Sequence, residues 1–283
     1  MVPVADGVEL ASDLWSPATP ALRSATFVLA HGLASNARLW DGVAGRLTER
    51  GHAAVTVDLR GHGRSSKPDG PYDVPTVADD LAALIGRLGL ERPIVAGQSW
   101  GGNVAIELGA RHPDLVGGLV CVDGGWFEPS SAFPSWEACR EALAPPRLAG
   151  RPLADIEARV RANHPDWPES GIAGMLANFE RRPDGTAAPW LTFERHIAVL
   201  HGMWEHRPSE RYAAVAVPVL LLPARPARPG GRALTRDAEV EAARAGLPTA
   251  RVHSITGDHD IHAQHPAEVA DVMIDAVSDG FFA

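Results

Sequence analysis

The sequence predicts an α/β fold with a mostly parallel sheet and helices on both of its faces. Short apolar runs alternate with stretches of helical periodicity, which is the pattern of repeated strand–helix–strand units. The chain of 283 residues is long enough to bury a large core. None of its apolar runs reaches the length of about eighteen residues that a membrane helix needs. We therefore expect a soluble globular protein.

Each predicted element rests on a local pattern. Strands are predicted where short apolar runs are bounded by turn-forming residues, at 25–30, 53–58, 93–96, 118–122, 217–222 and 250–255. Helices are predicted at 38–50, 76–88, 99–111, 234–245 and 266–277, and Thr76 and Asp79 have the spacing of a capping box. The leading segment 4–15 alternates around Asp6 and Gly7, as a β-hairpin does.

The alternation of strands and helices breaks between residues 125 and 212. Prolines and short helical pieces collect in this stretch, which has no clean strand. The strand pattern resumes at Val217, so we interpret residues 125–212 as a helical cap inserted over a core of residues 1–124 and 213–283. The alternative is a helical layer that only stabilises the fold. Five of the eight tryptophans lie in the insertion: Trp126, Trp136, Trp167, Trp190 and Trp204.

Charge and composition exclude several classes of partner. The formal net charge is -9 without a stripe of Lys and Arg, so nucleic acid is not an expected partner. The N-terminus lacks the pattern of a signal peptide, which favours a cytoplasmic location and no membrane partner. Cys121 and Cys139 are expected to be buried thiols. Because His262 and His265 lack the further ligands of a zinc site, we expect neither a metal nor a cofactor. The oligomeric state stays open.

A nucleophilic serine is predicted at position 99. The pentapeptide Gly-Gln-Ser-Trp-Gly at 97–101 follows a predicted strand and opens a predicted helix, the context in which Ser99 stands exposed on a tight turn. Two backbone N–H groups are needed to hold the oxyanion that forms when such a serine attacks a carbonyl. We predict that they belong to Trp100, directly after the nucleophile, and to Leu33, in the loop after strand 25–30.

A serine hydroxyl needs a general base, and we predict His259 for this role. It follows the strand 250–255 with Gly257 in the turn, and sheets of this type bind ligands at the carboxyl ends of their strands. His262 is the alternative, because it lies three residues further along the chain. We interpret His31 as a turn histidine bonded to nearby backbone.

The histidine in turn needs a carboxylate that orients its ring, and we predict Asp123. Asp123 directly follows the strand 118–122, beside the expected position of Ser99. After the strand 217–222, the first carboxylate is Asp237. The alternative is that Asp123 only caps the loop into the insertion, in which case Asp237, Asp258 or Asp260 would orient the base.

Four motifs follow one another along the chain: His31-Gly32, Asp58-Leu-Arg-Gly-His-Gly-Arg-Ser65, Gly97-Gln-Ser-Trp-Gly101, and Gly257-Asp-His259 followed by Pro266. Together they resemble the α/β-hydrolase superfamily, in the branch of small esterases, haloperoxidase-like enzymes and epoxide hydrolases. The resemblance covers nearly the whole chain outside residues 125–212. It implies an α/β-hydrolase fold with a mostly parallel eight-stranded sheet and a cap inserted after the sixth strand.

The chain departs from the family pattern in two places. Ala227 stands where the commonest pattern has an Asp after the seventh strand, so the resemblance implies an acid after the sixth strand, as some members have, and Asp123 fits it. The nucleophile is serine rather than aspartate, which argues against epoxide hydrolase and haloalkane dehalogenase chemistry. Within the octapeptide, we expect Arg60 and His62 to brace loops.

These observations predict a serine hydrolase that cleaves a carboxylic ester, lactone or thioester through an acyl-serine intermediate. Trp126, Phe127 and Trp136 follow Asp123 and predict a small apolar or aromatic substrate, unless these rings only pack against each other. Acyl transfer, perhydrolysis, carbon–carbon bond hydrolysis or a lyase reaction could use the same triad, and a ligand-binding receptor could retain the fold.

Overall fold

A seven-stranded sheet runs through the protein, as the computed structural model shows. The structure describes residues 1–226 and 231–282. Neighbouring strands of the sheet are parallel except at one edge, where the last strand is antiparallel. In chain order the strands of the protein are β1 (Val2–Ala5), β2 (Val8–Leu10), β3 (Ser12–Trp15), β4 (Thr26–Ala30), β5 (Ala53–Val57), β6 (Ile94–Gln98), β7 (Gly118–Val122), β8 (Phe179–Arg181), β9 (Ala187–Pro189), β10 (Val219–Leu222), β11 (Ala224–Arg225), β12 (Ala250–Val252) and β13 (Ile255–Thr256).

The strands of the large sheet lie in the order β12-β10-β7-β6-β4-β5-β3. Because side chains alternate along a strand, each strand contributes to a separate core on each face. Val28 and Val95 pack into one core, whereas Phe27 and Ile94 pack into the other. The inner strands are buried on both faces, which explains why they are near-continuous apolar runs in the sequence.

Helices cover both faces of the sheet. In the described residues they are α1 (Asp41–Glu49), α2 (Val74–Arg87), α3 (Trp100–Arg111), α4 (Pro129–Ala132), α5 (Trp136–Leu143), α6 (Leu153–Asn163), α7 (Glu169–Leu176), α8 (Phe193–Glu205), α9 (Gly231–Gly246), α10 (Ile261–Gln264) and α11 (Pro266–Ser278). Helices α2 and α3 pack together on the face that carries Val28, and α1 packs on α11 on the face that carries Phe27. No helix within the described ranges combines the length and the hydropathy that a bilayer crossing requires.

The predicted α/β class is confirmed, but the large sheet has seven strands rather than the eight that the resemblance implies. Strands β1 and β2 form a separate hairpin. A loop occupies the other edge of β2, because the hydroxyls of Ser66 and Ser65 accept the N–H groups of Glu9 and Ala11 at 3.0 and 2.8 Å. These serines take the place of a further strand partner.

Several predicted boundaries differ from those of the structure, and two of the differences have a clear physical reason. Helix α2 begins at Val74 rather than at position 76, because Asp73 is its N-cap and its Oδ1 accepts the Thr76 N–H at 2.9 Å. Asp79 does not close a capping box but binds Arg111. The predicted strand 250–255 is divided, since β12 pairs with β10 while β13 pairs with β11.

The segment between β7 and β10 contains α4 to α8 and the β8–β9 hairpin. The hairpin was not predicted, because strands of three residues are too short to show an alternating pattern. Helix α5 packs on α8, where the Trp136 ring lies edge-on to His201 with 4.8 Å between ring centroids. Helix α7 packs against the 3-10 turn Ala37–Trp40, which follows β4 of the large sheet.

Candidate active site

Ser99 lies on a strained turn between β6 and α3. Its φ of 52° and ψ of -118° are unusual for a residue with a side chain, and such strain persists only where the surroundings impose it. The Ser99 N–H donates to the Val122 carbonyl of β7 at 3.0 Å. A Cβ on Gly101 would lie 2.6 Å from the His31 carbonyl oxygen, so only glycine allows the turn to approach β4 this closely.

The sheet register brings three loops to this serine. Ala30 of β4 pairs with Gly97, and Gln98 of β6 pairs with Val122, so the residues that follow β4, β6 and β7 meet at one edge. A Cβ on Gly32 would lie 3.1 Å from the Ser99 Cβ, and one on Gly124 would lie 2.6 Å from the Ser99 Cα. The loops of Leu33 and Asp123 therefore both touch the serine.

Leu33 and Trp100 offer the two backbone N–H groups that we predict for the oxyanion. Trp100 is the first residue of α3, where an N–H has no acceptor within the helix and the helix dipole adds positive charge. The Leu33 N–H donates no hydrogen bond within the described part of the chain. Both groups are available to an oxygen bound near Ser99, and their role in holding it stays a prediction.

His259 and Asp123 form a close pair beside this turn. The His259 Nδ1 lies 2.6 Å from Asp123 Oδ2, although 136 residues separate them in the sequence. Because a carboxylate only accepts hydrogen bonds, Nδ1 carries the proton and Nε2 is left free to accept one. The structure thus brings together the predicted base and the predicted acid, and it gives the imidazole the tautomer that a general base needs.

The carboxylate of Asp123 is held from both sides. Its side chain is 1% exposed, and its Oδ1 accepts the Ala224 N–H at 3.0 Å. The guanidinium of Arg236, on α9, lies 3.5 Å from the same Oδ1 and donates to the Ala224 carbonyl at 2.8 Å. Arg236 was not predicted from the sequence, because a helical arginine carries no signal of which neighbouring strand it faces.

The charges around His259 decide its protonation. Desolvation by the surrounding protein lowers the pKa of His259, but the hydrogen bond to Asp123 and the charges of Asp260 and Asp123 outweigh it, and Arg236 opposes them only in part. The pKa therefore lies above its ordinary value of 6.5. The His259 side chain is 51% exposed, so part of the ring faces solvent.

Ser99 and His259 are not hydrogen bonded to each other in this structure. The Ser99 hydroxyl donates to no residue within the described ranges, and neither does it accept. Catalytic hydrogen bonds of this kind are often long without substrate and tighten when it binds. The serine–histidine contact of the predicted triad stays a prediction.

The other candidate histidines lie in different surroundings. His31 accepts the Leu59 N–H at Nε2 and bonds the Gly32 carbonyl through Nδ1, at 3.0 and 2.7 Å, which is the turn arrangement that we expected. His262 is fully buried against Trp40, and burial lowers its pKa to about 3. Both rings are fully buried, whereas the ring of His259 is half exposed.

The alternative carboxylates are engaged elsewhere. Asp237 pairs with Arg225 at 2.9 Å on the exposed surface. Asp258 is exposed, and burial raises the pKa of Asp260. Position 227, where the commonest family pattern has its acid, lies outside the described residues. No group of three or more candidate metal ligands was found among the described residues.

The predicted substrate-binding rings lie at the start of the inserted segment. Trp126 is buried, and Phe127 and Trp136 pack partly buried against the same core. The carbonyl of Phe127 accepts a hydrogen bond from Asn103 of α3 at 3.1 Å, which connects this segment to the helix that follows Ser99. Trp136 also packs against Trp204, with 6.1 Å between ring centroids. Contact of these rings with a substrate stays a prediction.

Comparisons with known proteins point to one family. A family model described as the alpha/beta hydrolase family matches residues 27–272. The chain is 27% identical over 192 residues to a 2-(acetamidomethylene)succinate hydrolase of Mesorhizobium japonicum, a match that covers 68% of this chain and 67% of that protein. It is 28% identical over 222 residues to a monoacylglycerol lipase of Mycolicibacterium smegmatis, over 76% of this chain and 74% of the lipase.

Solved structures show the same fold. The crystal structure of an E-2-(acetamidomethylene)succinate hydrolase superimposes with a TM-score of 0.75 and covers 96% of both chains. The sequence identity in that superposition is 21%, so the likeness concerns the fold alone.

Proposed function

Because this chain is an enzyme of the alpha/beta hydrolase family, we propose that it hydrolyses a carboxylic ester, lactone or thioester through an acyl-serine intermediate. The observation that carries the proposal is the 2.6 Å pair of His259 and Asp123 beside the strained turn of Ser99. A serine in this conformation, next to an imidazole with a free Nε2, has the two parts that nucleophilic catalysis needs.

The reaction proceeds in two halves. Ser99 Oγ attacks the substrate carbonyl while His259 Nε2 takes its proton, and the N–H groups of Leu33 and Trp100 hold the oxyanion. The oxyanion collapses, the bond to the leaving group breaks, and His259 gives that group the proton. Water then attacks the acyl-serine with His259 again as base, which releases the acid and restores the Ser99 hydroxyl.

The inserted segment is the proposed cap. Trp126, Phe127 and Trp136 lie at its start, directly after Asp123, and we assign them to the acyl or alcohol side of a small apolar or aromatic substrate. Relatives are named for substrates as different as 2-(acetamidomethylene)succinate and a monoacylglycerol. We propose that the inserted segment, rather than the triad, selects the substrate of this chain.

A fluorophosphonate probe tests the proposal. The folded protein should be labelled stoichiometrically and should hydrolyse p-nitrophenyl esters, and both activities should be lost in Ser99→Ala. Ser24→Ala is the matched control, because Ser24 is exposed at the opposite end of β4 and binds only the Gly51 carbonyl. Folded wild-type protein that neither reacts with the probe nor turns over any ester, lactone or thioester would refute the proposal.

A further inference from the structure

The chain contains two glutamines, and both bind the loop that carries His259. Gln98, directly before the nucleophile, donates from Nε2 to the His259 carbonyl at 3.2 Å. Gln264, the last residue of α10, accepts the Asp258 N–H at Oε1 at 2.6 Å. The backbone of the predicted base is thus held on its N-terminal side by one amide and on its own carbonyl by the other.

The other end of the Gln264 amide reaches the inserted segment. Its Nε2 donates to Asp166 Oδ2 at 2.5 Å. The orientation of this amide is dictated by chemistry, because a backbone N–H can face only the oxygen and a carboxylate can face only the NH₂ group. The hydrogen bond from Gln264 also lowers the pKa of Asp166, which keeps that carboxylate ionised.

The surroundings leave little freedom for Gln264. Its side chain is nearly buried, and a Cβ on Gly257 would lie 2.6 Å from its Oε1. The insertion is also seated closely on α10, since a Cβ on Gly171 of α7 would lie 2.8 Å from the Ala263 carbonyl oxygen. A displacement of the 164–167 loop or of Gln264 would therefore be passed to the backbone next to His259.

We propose that Gln264 and Asp166 are positioning residues, through which the seated insertion holds the loop of His259 in line with Ser99. The pair connects two parts of the chain that are 98 residues apart, and it touches neither substrate nor reacting atoms. The inference rests on the proposed function, because it assigns these residues a role in the reaction of the same site. It predicts that activity is preserved when the hydrogen-bond donor and acceptor are exchanged between the two residues, and that activity falls when the donor of Gln264 alone is removed.

The test is a cycle of three variants. Q264E puts a carboxylate opposite Asp166 and removes the donor, so we expect kcat to fall about tenfold to a hundredfold, since a small misplacement of the base has effects of this size. D166N alone keeps an acceptor oxygen for Gln264, and its loss should be about two- to fivefold. In the double variant the new amide donates to the new carboxylate, and kcat should return to within about threefold of wild type.

Two further features separate positioning from general destabilisation. KM should change little in Q264E, because no substrate contact is lost. The peptide that contains Asp258 and His259 should exchange its amide hydrogens faster in Q264E and at the wild-type rate in the double variant. D184N is the matched control for D166N, since Asp184 lies in the same insertion but binds only Thr186.

The outcomes distinguish this inference from the proposed function. If wild-type protein turns over esters and Q264E keeps its full kcat, or the double variant is no better than Q264E, the positioning role is refuted and the triad stands. The wild-type protein could be inert in every assay while amide hydrogen exchange near His259 is faster in Q264E and returns to the wild-type rate in the double variant. In that case the proposed function fails, and the contact between the insertion and the His259 loop is upheld.

Discussion

Two neighbouring regions at the carboxyl edge of the sheet, the turn after β7 and helix α9, place opposite charges beside His259. The turn after β7 presents the buried carboxylate of Asp123 to His259, whereas α9 carries Arg236, whose guanidinium lies 3.5 Å from the same carboxylate. In the commonest family pattern the acid lies after β10, in the chain that leads to α9. Here the carboxylate that meets His259 Nδ1 follows β7 instead, so a neighbouring strand of the same sheet can supply it.

The largest effect is expected from removing the charge of Asp123, in the turn after β7. Asp123→Asn should lower kcat about a thousandfold or more, because the amide no longer selects the productive tautomer of His259. Asparagine tolerates the φ of 42° at this position, so the fold should be retained. Steady-state kinetics and a thermal melt check both points, and a variant that keeps more than about a tenth of the wild-type kcat would exclude Asp123 as the acid.

A smaller effect is expected from Arg236 on α9, whose removal should shift the pH profile in the direction opposite to that caused by Asp123→Asn. Activity requires neutral His259, so kcat/KM should fall as the pH drops through a pKa above 6.5. Arg236→Met removes a positive charge that lowers this pKa, so the acid limb should move to higher pH, with kcat/KM at neutral pH changing about two- to fivefold. The residual activity of Asp123→Asn should show the limb at lower pH, because the groups that raise the pKa are lost. Shifts in the same direction for both variants would contradict the arrangement.

The smallest effect is expected at Asp237, on the exposed surface of α9. Asp237 pairs only with Arg225 in solvent, so Asp237→Asn should leave kcat and KM unchanged and Tm within about 2 °C of wild type. It is the matched control for Asp123→Asn, because the same chemical change is made on the neighbouring helix α9. A loss of turnover comparable to that of Asp123→Asn would show that Asp237, rather than Asp123 alone, is needed for the reaction.

The parts of the fold that local pattern predicts well are those buried on both faces. Strands β4, β6 and β7 are buried, mostly apolar runs, and each is followed by a residue with a polar or reactive side chain. This is why Ser99 and Asp123 could be proposed as site residues from the sequence. The α/β class and the turn role of His31 follow from the same logic. In a parallel sheet, chain order and a few turn residues are enough to place such loops at one edge.

The contacts that sequence reasoning missed all depend on side chains that meet from distant elements. Gln264 meets Asp166, and Arg236 meets Asp123, only after the insertion and α9 are packed on the sheet. Nothing in their local pattern marks them, because a polar residue on a helix is most often solvated. The number of strands in the large sheet was also overestimated, because β1 and β2 form a separate hairpin.

The strand order has a consequence for how the molecule is made. Residues 26–122 supply β4 to β7, so the ribosome releases the turn of Ser99 well before the loop of His259. Until residues 219–222 emerge, the apolar edge of β7 has no neighbour on its outer side. Unpaired edges of this kind invite self-association, so a truncated translation product ending in the insertion should precipitate or recruit chaperones rather than accumulate as a partly active fragment.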